Sequence, residues 1–173
     1  GEGQARTDRP EIGWSVGGAQ ENLARVRSIL TRFGLHFWED GPATNRRILT
    51  SSKHLRALCE SFGRLAPDKY VPHDLLRLDA ERTQAMIEGY LDADGCVSVS
   101  RLKAVDAWKA TSTSLSLLQG IQRLCWRLGW AAGVSVADHA REGVIEGRKV
   151  QCRDTWELSV TKAPSKHART KIT

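Results

Sequence analysis

Between positions 87 and 98 the sequence IEGYLDADGCVS sets two carboxylates, Asp92 and Asp94, between Gly89 and Gly95. Met86, Ile87, Tyr90 and Leu91 form a helically spaced apolar stripe ahead of them, and an alternating, strand-like run follows. Gly89 would let another helix approach closely. Acids at the C-terminal end of a helix oppose its dipole, so the placement is unfavourable unless a cation compensates. A hard divalent metal bound through carboxylate oxygens would do so. The same residues also suit a purely structural role, with Asp92 capping a turn and Asp94-Gly95 forming a type I′ hairpin corner.

The surrounding elements are repeated. ENLARVRSILTRFG (21–34) carries Leu23, Val26, Ile29, Leu30 and Phe33 at helical spacing. SLLQGIQRLCWRLG (116–129) carries Leu118, Ile121, Leu124, Cys125 and Leu128 in the same places. Both close on Arg-x-Gly, with a glycine suited to the residue after a helix end, at a constant offset of 95 positions. Each helix follows an extended segment, PEIGWSVGG or VDAWKATSTS, and precedes a hairpin. In the first half LHFWED and RRILTSS are joined by the turn-rich GPATN; in the second, AAGVSVAD and DTWELSVTK are joined by a longer, charged connection. SSKHLRALCESFG reads as a further helix with Leu55, Leu58, Cys59 and Phe62 inward.

This order predicts an α+β chain built as a pseudo-twofold duplication, with two sheets side by side. Strands that alternate polar and apolar residues have one wet face. Here that face is rich in Arg, Lys, Ser and Thr, which is equally the surface of an ordinary solvated sheet. The net charge of +6 over 173 residues favours a polyanionic partner such as nucleic acid or an acidic membrane face. No apolar run approaches the roughly 18 residues that a membrane span needs, and no signal peptide opens the sequence. Cys59, Cys96, Cys125 and Cys152 show no C-x-x-C pairing, which predicts reduced thiols and a cytoplasmic protein. Six tryptophans against two tyrosines point to core packing.

IEGYLDADG (87–95) resembles the nine-residue motif of the LAGLIDADG, or dodecapeptide, homing endonucleases at its glycine, at Asp92 and at the closing Ala-Asp-Gly. KYVP (69–72) resembles the K-x-I-P block that precedes the second motif in intein-borne members. The resemblance spans essentially the whole chain. It implies the duplicated αββαββα fold, with two DNA-binding sheets forming a saddle in a monomeric pseudo-dimer. The first half would be 1–78, including the KYVP link, and the second 79–173. Counting back from the repeated helix places Gly1-Glu2-Gly3 at the tail of a first motif, with Glu for Asp. The helix of that motif would precede Gly1, and a closing helix would follow the basic segment after Lys162. A terminal Gly-Glu-Gly is alternatively a cloning remnant.

By the same resemblance, Glu2 and Asp94 would bind Mg²⁺ (or Mn²⁺), generating hydroxide and neutralising the leaving oxygen during hydrolysis of both DNA strands. Lys53, after ILTSS, and Lys162, after ELSVT, would stabilise the charge on the attacked phosphate from matched positions. DNA contacts would come from Gln4, Arg6, Arg9, Trp14, Arg46 and Arg47 in the first half. In the second half they would come from Ser98, Ser100, Arg101, Lys103, Lys109, Thr111, Arg148 and Arg153. KYVP implies the endonuclease of an intein, with its splicing domain in cis. Two other activities fit the same scaffold: a DNA-binding regulator of this ancestry that does not cut, and an RNA maturase.

Overall fold

The computed structural model describes residues 3–5, 11–16, 20–42, 46–97, 107–145 and 147–164. The chain forms two compact units, Gly1–Arg64 and Leu65–Thr173.

In the first unit β1 (Gly3–Ala5) and β2 (Ile12–Val16) precede α1 (Gln20–Arg32), and β3 (Trp38–Asp40) and β4 (Arg46–Thr50) lead to α2 (Lys53–Glu60). The strands pair antiparallel in the order β1-β2-β4-β3. Glu21 in the first turn of α1 and Arg32 in the last complement the helix dipole, and Gly34 at φ 63° stops the helix. Leu23 and Leu30 of α1 pack on Ile48 of β4, with Trp14, Val26, Leu35, Phe37 and Leu55 around them. Arg27 of α1 clamps the edge strand through Glu39, Nε to Oε1 at 2.5 Å and Nη2 to Oε2 at 2.8 Å. The hydrogen bond from Arg27 is the main cause that holds the Glu39 carboxyl below its ordinary range.

The second unit opens with two 3₁₀ turns, Ala66–Asp68 and Leu75–Arg77, then α3 (Ala80–Asp94), β5 (Gly95–Val97), β6 (Ala107–Ser112) and α4 (Leu115–Arg127). β7 (Trp130–Asp138) and β10 (Thr155–Pro164) flank an inserted ribbon, β8 (Arg141–Ile145) and β9 (Arg148–Cys152). The main sheet runs β5-β6-β10-β7, the order of the first sheet. α1 and α4 begin and end 95 positions apart, as the repeat predicts. Ile87 and Leu91 of α3, Leu118, Ile121, Leu124 and Cys125 of α4, and Ala110, Leu158 and Val160 of the sheet make one core. Trp108, Trp130 and Trp156 pack against it, so the tryptophans do mainly report packing. All four cysteines are free, and burial pushes the Cys125 thiol up to about 12.

Covering makes the two repeated helices unequal. Leu124 of α4, in the core shared with α3 and the sheet, is 0% exposed, whereas Ile29, its counterpart on α1, is 48% exposed and Phe33 72%. The unit break also differs from the expected 78/79 boundary, because the KYVP link packs on the second unit. Ser114 Oγ donates to the Lys69 carbonyl at 2.5 Å. Val71 is buried against Gly120, where a Cβ would meet Val71 Cγ2 at 2.6 Å. Arg127 donates to the carbonyls of Leu76 and, at 2.6 Å, Leu78.

Candidate active site and nucleic-acid interface

Helix α3 starts where Asp79 accepts the Arg82 backbone N–H at 2.9 Å, and Glu81 sits favourably in its first turn. Thr83, Ile87 and Leu91, spaced by four, form its buried seam. The other side exposes Ala85, Gly89 and Ala93, and a Cβ on Gly89 would meet nothing within 4 Å. At its end the helix passes directly into β5. The Gly95 N–H donates to the Leu91 carbonyl, and Gly95 already pairs with Ala110. A Cβ on Gly95 would overlap the Leu91 carbonyl oxygen and lie 3.0 Å from Leu91 Cα. Glycine is therefore required here by space.

This junction removes the hairpin-corner alternative: Asp94 is the last helical residue and Gly95 the first of a strand. Asp92 is exposed and Asp94 half-buried at the helix end. The Tyr90 hydroxyl, one turn back, is buried and makes no hydrogen bond. Burial first, and then the charge of Asp94, push its ionisation far above the ordinary range. Glu2 lies outside the described residues. Gly3 opens β1 as Gly95 opens β5, so in chain order Glu2 precedes its strand as Asp94 does.

The two lysines do not occupy matched settings. Lys53 is the first residue of α2, exposed, just past Ser52, whose side chain caps the helix by accepting the Leu55 N–H. Lys162 does not follow the last strand but lies inside β10. Its Nζ is 2.9 Å from Glu88 Oε1 and 5.3 Å from the centre of the Trp130 ring. Glu88 precedes Asp94 by six residues, roughly 9 Å along the helix axis. The ammonium is thus held up the helix from the Asp94 end.

The sheet registers decide which candidate contacts lie on the uncovered faces. Trp14 pairs with Ile48 and packs against the core, so its assignment to DNA is corrected: it faces α1. Arg46 shares the parity of Ile48 and approaches Glu39, itself clamped to α1, at 4.0 Å, so it too leaves the open face. Arg47 has the opposite parity and pairs across strands with Asp40. In the second sheet Lys109 and Thr111 lie opposite Ser159 and Glu157, away from the core residues Ala110, Leu158 and Val160. Lys109 bonds Glu157 at 2.7 Å. Arg148 is exposed on β9, and Arg153 is exposed just after it. Gln4 pairs with Gly13 in the β1–β2 register. Arg6, Arg9, Ser98, Ser100, Arg101 and Lys103 lie outside the described residues. Sequence reasoning missed Glu157 and Ser159 on the open face, although the alternation of TWELSV carries that signal. It also missed Glu88, which only the fold brings to Lys162.

Among the described residues no group of three or more His, Cys, Asp or Glu could hold a metal ion. A hard cation bound by one or two carboxylates, substrate phosphates and water needs no such group. The oxygen donors at the end of α3 fit that requirement.

The LAGLIDADG-like domain model matches residues 81–152. The chain is 32% identical over 133 residues to the homothallic switching endonuclease of Saccharomyces cerevisiae, a match covering 73% of this chain and 22% of that protein. The chain therefore spans about a fifth of the length of this relative. Among solved structures it resembles I-DmoI in complex with DNA and Ca, with a TM-score of 0.56, 14% identity, and coverage of 87% of this chain and 68% of that one. It also resembles I-DmoI in complex with DNA and Mn (TM-score 0.53, 15% identity, 91% and 78% covered). The N-terminal LAGLIDADG domain of DUF199/WhiA matches with a TM-score of 0.52 at 10% identity, over 92% of this chain and 68% of that one. Residues 81–152 are therefore a LAGLIDADG-like domain, built on the fold of the LAGLIDADG homing endonucleases.

Proposed function

We propose that the chain is the DNA-cutting part of a site-specific homing endonuclease that hydrolyses both strands of a long duplex target. The observation that carries this is Asp94, fixed at the α3–β5 junction by a glycine that no other residue can replace without movement. Asp94 and Glu2 would hold Mg²⁺ or Mn²⁺, a carboxylate donor set suited to a hard cation. When bound, the ion would activate water and neutralise charge on the leaving oxygen. Lys53, at the exposed start of α2, would add positive charge near the attacked phosphate. Lys162 would do so after leaving Glu88. Arg47, Lys109 and Thr111 on the open faces would contact the duplex, with arginine able to read guanine and lysine holding phosphate. KYVP supports an intein as the setting, with the splicing domain in cis.

A second reading, a DNA binder that does not cut, is favoured by the ion pair that keeps Lys162 at Glu88. One substitution separates the two. Asp94→Asn should abolish duplex cleavage in Mg²⁺ while leaving affinity intact, because affinity rests on cations neutralising phosphates. A variant that cuts at the wild-type rate would refute the catalytic assignment. A wild-type protein that binds duplex but never cuts it would establish the second reading.

A further inference from the structure

The two main sheets differ in their described strands and in the connection between their last two strands. In the first, β2 and β4 have five residues and β3 has three. In the second, β10 has ten, β7 nine and β6 six. The connections differ as well. Residues 41–45 join β3 to β4, whereas residues 139–154 join β7 to β10 and fold into the β8–β9 ribbon.

That ribbon is a separate two-stranded sheet, with Arg141 to Ile145 paired against Cys152 to Arg148. Its stem is tied off by local bonds. The Ala140 N–H donates to Asp154 Oδ1 at 2.7 Å, and Arg141 pairs with Asp138 at 2.9 Å. The two stem acids are thus engaged at the root. Farther out, Arg148 and Lys149 are exposed, and Arg153 is exposed on the return strand's exit. Against these three cations the ribbon sequence sets Glu142, next to its root, and Glu146. Val144 is 68% exposed at the outer part of the same ribbon. A two-stranded ribbon fits the major groove of B-DNA.

We infer that the DNA contact is unequal: the β8–β9 ribbon is an arm that the five-residue connection 41–45 of the first unit cannot match, and it extends the second unit's contact by about 4–5 bp of duplex. This rests on the DNA-binding reading given above. Arg148, Lys149 and Arg153 supply the phosphate contacts of the arm, and Gln151 and Val144 on its exposed surface are the groups available to base edges.

The test uses the full chain and duplexes selected by it from a randomised 50-bp library, footprinted with hydroxyl radicals. One variant replaces residues 139–154 with Gly-Pro-Ala-Thr-Asn, the connection of residues 41–45. Its footprint should shorten by about 4–5 bp, the span of a five-residue ribbon, at one end only. The triple variant R148A/K149A/R153A keeps the ribbon, and its salt dependence should flatten by about 2–3 units. Tryptophan fluorescence melts establish that both variants fold. Wild-type binding with an arm-swap footprint that is unchanged, or shortened at both ends, overturns this inference but leaves the DNA reading standing. An unchanged salt slope in the triple variant also overturns it. Selection of no duplex at all would instead remove the DNA reading itself, and this inference with it.

Discussion

Gly89 and Gly95 lie in the same nine-residue motif, yet alanine should act on them in opposite directions. At Gly95 a methyl would overlap the backbone of Leu91, with the Leu91 Cα 3.0 Å and its carbonyl carbon 3.1 Å away. Backbone cannot rotate aside as a side chain can, so the helix-to-strand junction itself must open. Overpacking of this kind costs about 1–3 kcal/mol. Loss of the Gly95 N–H to Leu91 carbonyl bond adds about 0.5–1.5 kcal/mol. The alanine restricts the unfolded chain and recovers about 0.4–1 kcal/mol. The net for Gly95→Ala is about 2 kcal/mol of destabilisation, which lowers the melting temperature of a unit this size by on the order of 10 °C. At Gly89 there is nothing to meet within 4 Å, and a mid-helix alanine gains about 0.5–1 kcal/mol. Gly89→Ala should therefore melt higher than wild type by a few degrees. Tryptophan fluorescence is a suitable probe because Trp108, Trp130 and Trp156 pack on the second unit's core. Two variants melting within about 2 °C of each other would refute the reasoning.

Lys53→Ala should lower single-turnover cutting on the order of 10²-fold with little change in affinity. A normal rate with the salt slope reduced by about one unit would make Lys53 a phosphate-positioning residue instead. Gly120→Ala should loosen the KYVP link, since its methyl would sit 2.6 Å from Val71 Cγ2 and 2.7 Å from Val71 Cβ. A net loss of about 1–2 kcal/mol is expected, together with faster proteolysis in 65–78. Val71→Ala should rescue the variant, and purely additive effects in that cycle would refute the contact. The hydrogen bond from Arg27 holds the Glu39 carboxyl in the folded state below its ordinary value of about 4.5. Its stabilisation of the first unit is therefore fully present above about pH 4.5 and is lost as pH falls through the folded value. Glu39→Gln should melt with a flatter pH profile below pH 5, and an unchanged profile would show that the Arg27 clamp contributes nothing.

The sequence by itself determined the elements whose causes are local. Apolar residues at helical spacing, closed by Gly34 and Gly129, fix α1 and α4 with matching bounds 95 positions apart. Asp79, a good capping residue, and the Ile87–Leu91 seam fix α3, and the motif at its end carries the candidate acid. The antiparallel order shared by the two sheets also follows from the repeat.

Tertiary structure alone decided which side of each strand is covered. Alternation separates Trp14 from Ser15 and Arg46 from Arg47, but only pairing with Ile48 and packing on α1 assigns one parity to the core. The same is true of Lys162. Its sequence position suggests an end of strand, while the fold brings its ammonium from β10 to Glu88 of α3, 74 residues away. The KYVP link goes with the second unit because Gly120 leaves room for Val71 and Ser114 reaches the Lys69 carbonyl. Such outcomes depend on contacts between distant segments, and no local spacing or propensity encodes them.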